Sequence, residues 1–380
     1  MPPDPAQGPG AAGVPDAPAD RPAQGTHPDP VARARRVALT LALGLAAALA
    51  CRALGTPLPW LIGPLLASAV LSMTGVKLAA SGRLRNFGLW MIGVALGLYF
   101  TPAVLALLWT LAPALLAGIA WALALGYGFY RFLRRFGGER DPATAFFAAA
   151  IGGASEMAVM AERHHGRVDR VAAAHSLRVL LVVVLIPFAY QAAGVQGLDA
   201  TAPAVQELRW PGLALLLAAS GAGIALLGWL GTPNPWVLGA LLVTLAISGA
   251  GVELSALPPA LSNAGQLFIG VALGTRFTPD FARAAPRWLG AVALGTLGMI
   301  GVSAGFAWLL AQTVGLHPAT VLLGTSPGGI AEMCITAKVL QLGVPVVTAF
   351  HVTRYVAVLV LIAPLYRWEM RRRFRAVPGR

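Results

Sequence analysis

Charged side chains are scarce in this chain of 380 residues, in which Asp, Glu, Lys and Arg together make up only 11%. An ordinary soluble domain has roughly a quarter. Hydrophobic residues account for 57%, and the mean hydropathy is +0.71. Because a globule in water needs polar residues to cover it, this composition excludes a soluble enzyme of ordinary surface, a disordered protein and a coiled coil.

The solvent that accepts such a surface is lipid. The apolar runs are long and continuous rather than alternating, which excludes a transmembrane β-barrel. The length, divided by roughly 20 apolar residues for each crossing, predicts an all-α polytopic membrane protein with about 10–12 helices. Several apolar runs are short or interrupted by Pro and Gly, so we expect some helices to be broken or re-entrant.

Acidic residues are also few, since 15 Asp and Glu stand against 28 Lys and Arg, for a net charge of +13. The cations lie between apolar runs and at the C-terminus, which is typical of the positive-inside rule rather than of a nucleic-acid-binding protein. We therefore expect the basic clusters in the cytoplasm, at Lys77/Arg83/Arg85, at Arg131/Arg134/Arg135 and at Arg371–Arg375.

The chain has two cysteines, Cys51 and Cys334, and both lie in or beside apolar runs. They are expected to be packing residues rather than disulfide partners. We favour a first transmembrane helix after the run Val31–Arg36 over a signal peptide with a lipid-modified Cys51, because further apolar spans follow at once.

Composition divides the chain into five segments. Residues 1–30 are rich in Pro, Ala, Gly and Asp and are predicted to be a disordered tail. Two membrane repeats, at 37–190 and 212–366, are joined by a connecting loop at 191–211, and a basic cytoplasmic tail occupies 367–380. We expect a multi-pass protein of a bacterial inner membrane with both termini in the cytoplasm, which requires an even number of crossings.

The second repeat copies the first in a series of ordered sequence matches. Gly55–Gly63 matches Gly231–Gly239, an offset of 176 residues, and Ile92–Gly97 is identical to Ile269–Gly274. The remaining matches pair Pro142–Thr144 with Pro318–Thr320, Gly152–Met157 with Gly328–Met333, and His175–Arg178 with His351–Arg354. The chain is therefore interpreted as two copies of one membrane module.

Duplicated membrane modules with interrupted helices are typical of secondary transporters, whose sites form where the repeats meet. The alternative is a duplicated scaffold whose matching residues serve packing alone. Packing explains the matched Gly, Ala and Pro well, but it explains the matched Glu, His and Arg poorly. Whether the repeats are inverted or parallel stays open, since an inverted pair needs an odd number of crossings in each repeat and about six are counted.

Two glutamates follow Gly-Gly pairs inside apolar runs, and an ionisable residue at membrane depth indicates a functional site. If each glycine pair breaks its helix, the next segment starts a new helix whose N-terminus could be capped by the glutamate or could hold an anionic solute. The alternative is that each glutamate only pairs with an arginine to hold helices together. The residues concerned are Gly152, Gly153 and Glu156 in the first repeat and Gly328, Gly329 and Glu332 in the second.

Each repeat also has a His-x-x-Arg pair, His175 with Arg178 and His351 with Arg354. The i, i+3 spacing places the imidazole and the guanidinium on one helix face. An arginine in an apolar helix needs an anionic partner, and the nearest candidate is the glutamate of its repeat. Such a cluster could carry protons, bind an anion, or both. The alternative is a buried histidine satisfied by the backbone.

Weaker candidates accompany these pairs. Trp60 and Trp236, each after a proline, are expected to anchor the membrane interface. Asn86, Asn263 and Gln266 could line a pathway or serve packing equally well. The sequence has no HExxH, CxxC, Walker or dinucleotide-binding motif, so we expect no metal and no cofactor.

At the two Gly-Gly-x-x-Glu-Met boxes, the paired Pro-Trp segments and the His-x-x-Arg pairs, the sequence resembles the AbrB family of bacterial membrane proteins. The resemblance covers about residues 37 to 370 and is strongest at Thr325–Lys338 and Gly343–Arg354. The first box departs from the second, because Ile151 and Asp141 replace Pro327 and His317. If both boxes bind the same ligand, the first should bind it differently.

Members of this family are labelled ammonia monooxygenases or regulators of gene expression. A copper monooxygenase would need clustered His ligands, and a direct transcription regulator would need a DNA-reading element. Neither is visible in the sequence. The resemblance therefore implies a membrane protein, with an indirect regulatory role or a monooxygenase activity as the alternatives to transport.

The function predicted is that of a transporter or permease for a small solute, not of an enzyme. An anionic solute and proton coupling are both expected, because arginine would hold the anion while glutamate and histidine would carry protons. The partners expected are the lipid bilayer, a small-molecule or ion substrate and a second copy of the chain, and no nucleic acid. The substrate-binding residues predicted are Gly152, Gly153, Glu156, His175, Arg178, Gly328, Gly329, Glu332, His351 and Arg354.

Overall fold

The structure, a computed structural model, describes residues 30–197, 207–279, 281 and 285–375. Within these residues the chain forms fifteen helices and no strand. The predicted disordered tail lies outside the described residues except for Pro30, and so do residues 198–206 of the connecting loop and residues 376–380 of the C-terminal tail.

The first half of the chain contributes eight helices. They are α1 Pro30–Ala53, α2 Pro59–Met73, α3 Gly82–Gly97, α4 Pro102–Thr110, α5 Ala112–Phe136, α6 Pro142–Ala149, α7 Ala154–Arg163 and α8 Val168–Ala192. The second half contributes seven, which are α9 Trp210–Trp229, α10 Pro235–Gly249, α11 Pro259–Gly274, α12 Pro286–Val314, α13 Pro318–Thr325, α14 Ile330–Val339 and α15 Val344–Arg375.

Six of these helices, α1, α5, α8, α9, α12 and α15, are long and apolar enough to cross a membrane. A seventh crossing is possible if α3 and α4, which meet at an angle of 84°, form one broken span. The all-α polytopic class and the broken helices are confirmed. Apolar runs such as 143–161 and 318–338 are each divided by a break into two shorter helices.

The helices pack in two groups. The first, here called the scaffold group, comprises α1, α2, α3, α9, α10 and α11. Its crossings need glycine, because a Cβ on Gly93 would lie 2.6 Å from the Val237 carbonyl oxygen and one on Gly270 would lie 2.5 Å from that of Leu61. The second, here called the broken-helix group, comprises α5–α8 and α12–α15. Each group therefore takes helices from both halves of the chain.

Helix bounds recur along the chain at the spacing of the sequence matches. α2 and α10 have 15 residues each and begin at Pro59 and Pro235, while α6 and α13 have 8 each and begin at Pro142 and Pro318. α7 and α14 have 10 residues each. These lengths are those that a duplication requires, and the duplication itself stays a prediction from the sequence.

The last helix continues beyond the predicted end of the second repeat. α15 runs through Arg375, so residues 367–375 continue a membrane helix into the basic tail. Buried Glu369 accepts hydrogen bonds from Tyr127 Oη at 3.0 Å, Tyr130 Oη at 3.2 Å and Arg373 Nε at 2.8 Å. These bonds fix the end of α15 to α5.

Candidate functional site

Both predicted helix breaks are present. α6 and α7 are separated by residues 150–153, and α13 and α14 by residues 326–329. Gly153 and Gly329 are the N-caps, which places Glu156 and Glu332 in the first turn of the helix that follows. A Cβ on either glycine would collide with the carboxylate of its glutamate, which folds back over the break. The Gly-x-x-Glu spacing therefore allows an acid to lie against exposed helix-terminal amides.

Arg354 holds the second break, where the C-terminus of α13 leaves backbone carbonyls exposed. Its Nη1 donates to the Ser326 carbonyl at 2.5 Å, and its Nη2 donates to that of Gly328 at 2.7 Å and to His351 Nδ1 at 2.8 Å. The His351 ring bonds through Nε2 to the Leu323 carbonyl at 2.9 Å. Because a carbonyl only accepts, Nε2 carries the proton and Nδ1 accepts, so the imidazole is neutral.

The first break has the same arrangement. His175 Nε2 donates to the Phe147 carbonyl at 2.9 Å, and Arg178 Nη2 donates to His175 Nδ1 at 2.9 Å. The bonds from Arg178 Nη1 to the carbonyls of Ala148 and Ala149 are longer, at 3.4 and 3.5 Å. The first break is therefore held less tightly than the second.

The predicted pairing of each arginine with its glutamate is wrong. Among the described residues the salt bridges within 4.0 Å join other residues, and none includes Glu156 or Glu332. The physical reason is that a helix ending inside a membrane leaves carbonyl groups without donors. Arg178 and Arg354 supply those donors, and the histidines orient the arginines. This observation agrees with the alternative of a histidine satisfied by the backbone.

The two breaks face one cavity of about 330 Å³. Nine of the ten predicted site residues line it, and His351 lies behind Arg354, outside the lining. The cavity lies between the two helix groups, because α3, α10 and the end of α11 supply its other wall. The nine residues are Gly152, Gly153, Glu156, His175, Arg178, Gly328, Gly329, Glu332 and Arg354.

Sequence reasoning missed several residues of this lining. Arg85 was expected in a cytoplasmic loop and Trp236 at the membrane interface, yet both line the cavity. Arg276 also lines it, and the signal in the sequence was a lone charge directly after the matched apolar segment Ile269–Gly274. Of the three amide residues proposed for a pathway, Asn86 lines the cavity, while Asn263 and Gln266 do not.

The two glutamates differ in their surroundings. Glu156 is partly exposed and accepts a hydrogen bond from Tyr355 Oη at 3.1 Å. Glu332 is buried, and both Arg85 and Arg276 are near enough to attract its charge without a salt bridge within 4.0 Å. The Glu156 carboxylate is therefore held by a neutral donor, whereas the Glu332 carboxylate is attracted by two cations at longer range.

One of the two sequence departures between the boxes, Asp141 in place of His317, preserves a structural role. Asp141 accepts bonds from the backbone N–H of Ala143 at 3.2 Å and of Thr144 at 2.8 Å, which caps α6. His317 Nδ1 accepts from the N–H of Ala319 at 3.2 Å, which caps α13. Aspartate and histidine thus replace one another as N-caps, and neither lines the cavity.

A second cavity of about 560 Å³ adjoins the first. The two share Ala154, Ser155 and Arg276. The second cavity reaches Asp169 and Arg170 at the start of α8, where Arg170 bonds to Glu139 at 2.5 Å. It therefore connects the helix breaks with the end of the protein at which α5 carries its basic residues.

Two further features of the chain bear on enzyme chemistry. Gly301-Val302-Ser303-Ala304-Gly305 fits the Gly-x-Ser-x-Gly pattern of esterases, but these residues lie inside α12 instead of at a strand-to-helix turn. Ser303 is buried and accepts a bond from Trp121 Nε1 at 3.4 Å. Among the described residues, no three His, Cys, Asp or Glu side chains form a group that could hold a metal ion.

The fold and the cavity define a class, a polytopic helical membrane protein with a cavity between two helix breaks that is lined by ionisable residues. The family described as "Transition state regulatory protein AbrB" matches residues 60–369. The chain therefore belongs to the AbrB family.

Two relatives are similar over most of their length. "Uncharacterized protein YhjN" of Bacillus subtilis is 28% identical over 344 residues, which covers 82% of this chain and 88% of that protein. "Putative regulator AbrB" of Escherichia coli is 24% identical over 317 residues, which covers 80% of this chain and 87% of that protein. No solved structure matches the chain.

Proposed function

We propose that this protein is a permease of a bacterial inner membrane that carries a small solute through the cavity between the two helix breaks. The observation that supports this most directly is the lining of that cavity, which takes ionisable residues and two helix N-termini from both halves of the chain. Broken helices that end at a buried polar cavity are the usual form of a transporter site.

The position of the cavity supports a transport cycle. One wall belongs to the scaffold group and the other to the broken-helix group, so movement of one group against the other would change the side to which the cavity opens. The larger adjoining cavity gives access from the end of the protein at which Glu139 and Arg170 lie. By the positive-inside rule this end is cytoplasmic, as both termini are expected to be.

The lining favours a small anionic solute. A volume of about 330 Å³ is at the lower end of the range for small-molecule sites. The lining contains four arginines against two glutamates, and helix N-termini attract negative charge. An excess of positive charge in the lining of this cavity is therefore available for an anion.

Proton coupling is assigned to glutamate and not to histidine. Each histidine already donates from Nε2 and accepts at Nδ1, so a second proton would oppose the guanidinium beside it. The Glu332 carboxylate forms no hydrogen bond to another residue that the structure describes. It could therefore gain a proton as the solute leaves and lose it as the solute enters. The charged and titratable groups around it are Arg85 on α3, His175 and Arg178 on α8, Arg276 after α11, Arg354 and Tyr355 on α15, and Glu156 across the cavity.

A flux assay with the full-length protein in proteoliposomes tests the proposal. We would measure uptake of labelled succinate, and of its neutral diamide, with and without an inward proton gradient. The expected result is carboxylate uptake that the gradient accelerates and that falls at least tenfold in Glu332→Gln. Glu162→Gln is the matched control, because Glu162 is exposed at the end of α7.

A solute screen by thermal shift on the detergent-purified protein would extend the panel beyond succinate. If correctly inserted protein carries no member of the panel, or if Glu332→Gln and Glu162→Gln carry it equally, the permease assignment fails.

An indirect regulatory role is the second candidate, and it is favoured by the printed name of the Escherichia coli relative. In that case the protein would act through a cytoplasmic partner. Purification of the full-length protein from its native membrane, with the exposed Arg371 and Arg372 either intact or both replaced by Ala, would recover such a partner only from the unaltered protein, and flux would be absent.

A further inference from the structure

We propose that Arg85 and Arg276 together form the binding site for the carboxylate group of a small organic acid. This inference rests on the proposed function, because it specifies which residues of the cavity hold the solute and what chemical class the solute has. It replaces the earlier expectation that Arg178 and Arg354 would hold an anion.

The four arginines of the cavity fall into two pairs. Arg178 and Arg354 are almost completely buried, and their terminal nitrogens donate to carbonyls and to histidine. Their terminal nitrogens are thus engaged at the helix breaks, and the buried Nε of each is left without a partner among the described residues. The guanidinium groups of Arg85 and Arg276 form no hydrogen bond and no salt bridge to any residue that the structure describes. Within the described part of the chain, the side-chain donors of this second pair are therefore unused.

The two free guanidinium groups come from opposite halves of the chain. Arg85 lies in the first turn of α3, and Arg276 follows the end of α11, which packs on α3 with Gly88 against the Gly265 carbonyl oxygen. They are near enough for their charges to repel one another. Glu332 attracts both charges without a salt bridge within 4.0 Å, so two cations face one carboxylate. A bound anion would offset the repulsion that remains.

The shape of the lining favours an organic carboxylate over an inorganic anion. A planar guanidinium donates two parallel bonds to the two oxygens of a carboxylate. The asparagines Asn86 and Asn234 add neutral donors on the same wall. Much of the remaining lining is apolar or aromatic, which suits the carbon body of an organic acid, and includes Leu89, Val179, Trp236, Leu273 and Ile330.

Isothermal titration of the full-length protein in detergent tests this site without any need for transport. The probes are acetate, succinate and benzoate, their neutral amides acetamide, succinamide and benzamide, and inorganic phosphate. We expect at least one carboxylate to bind while its amide does not. Arg85→Ala and Arg276→Ala should each weaken that binding about 10- to 100-fold, as expected for loss of charge-assisted hydrogen bonds.

Arg83→Ala is the matched control, because Arg83 is an exposed residue of the same helical turn that does not line the cavity. Its affinity should equal that of the wild type. If the alanine variants do not fold, Arg85→Lys and Arg276→Lys are used instead, because they keep the positive charge but lose the two parallel donors of the guanidinium. They should bind the carboxylate more weakly than the wild type does and should still not bind the amide.

Binding of none of the three carboxylates, equal binding of acid and amide, or equal loss in Arg83→Ala would overturn the site. Arginine-dependent binding of phosphate that is tighter than that of every carboxylate would overturn the assignment to an organic acid. The outcomes for the permease proposal are distinct from those for this site. Carboxylate binding without flux would support the arginine site and refute the permease proposal. Flux that persists in both Arg85→Ala and Arg276→Ala would support the permease proposal and refute the arginine site.

Discussion

Arg354 donates a hydrogen bond to Nδ1 of His351 at 2.8 Å, three residues earlier on the same helix. The other ring nitrogen of His351 bonds to the Leu323 carbonyl at 2.9 Å, so the imidazole is fixed between the arginine and the end of α13. A helix that ends in a membrane needs such donors, because lipid offers none to its last carbonyls. The histidine and arginine of each half therefore make a helix break possible.

The first prediction concerns the stability of these breaks. Arg354→Ala should lower the free energy of unfolding by about 3 kcal/mol or more, because it leaves buried carbonyls without donors. Arg178→Ala should cost less, since its bonds to Ala148 and Ala149 are longer, at 3.4 and 3.5 Å. Thermal unfolding of the two variants in one detergent gives the comparison. A larger loss in Arg178→Ala would contradict the difference seen between the breaks.

The second prediction separates stability from function at the N-cap of α14. A Cβ in Gly329→Ala would collide with the Glu332 carboxylate, which is the end of a flexible side chain and can move aside. We expect thermal stability to change by about 1 kcal/mol or less, while carboxylate binding changes severalfold because Glu332 is displaced. Gly298→Ala in α12 is the control, since a Cβ there meets nothing within 4 Å. Equal effects of both changes on binding would refute this role of Gly329.

The sequence predicted the helix breaks and the ionisable residues beside them because both depend on local signals. Glycine pairs interrupt a helix, and a glutamate in an apolar run is conspicuous without any knowledge of packing. The role of Arg354 could not be predicted in this way, because its partners Ser326 and Gly328 are backbone carbonyls, which carry no side-chain signal. The sequence led instead to an acidic partner.

Arg85 was missed for a different reason. It lies among other cations at the start of a helix, where the positive-inside rule explains it without a function. Only the packing of α3 and α11 turns its side chain toward the cavity with Arg276. Contacts between segments nearly two hundred residues apart set this arrangement, and a single sequence does not report such contacts.

The third prediction concerns the charge on Glu332. Its carboxylate opposes a bound anion, so wild-type affinity for a carboxylate probe should rise as pH falls and the side chain gains a proton. Glu332→Gln should bind the probe about tenfold more tightly at neutral pH, as expected from removing one like charge at roughly 10 Å in a protein interior. Its affinity should also vary little with pH. Titrations at several pH values check both points, and an unchanged pH dependence in Glu332→Gln would show that another group titrates.

The fourth prediction tests the contact between the halves at Glu156. Tyr355 Oη donates to Glu156 Oε1 at 3.1 Å. Tyr355→Phe and Glu156→Ala should each destabilise the protein, and the double variant should lose about 1 kcal/mol less than the sum, because both remove one hydrogen bond. Thermal unfolding of the four proteins completes the cycle. Additive losses would show that the bond contributes nothing to stability.

The fifth prediction tests which end of the protein the cavities face. Ser155 is exposed and lines both cavities, whereas Ser326 at the other break is fully buried. In a background with Cys51→Ala and Cys334→Ala, Ser155→Cys should react with a membrane-impermeant maleimide and Ser326→Cys should not.

The second cavity reaches Arg170, near the basic end of α5, so labelling of Ser155→Cys should occur in inside-out vesicles, which expose the cytoplasmic face, and not in intact cells. Protection by succinate would place the anion next to Arg276, which both cavities share. Labelling from the outside alone would reverse the proposed orientation, and equal labelling at Ser326→Cys would show that the second break is open to water.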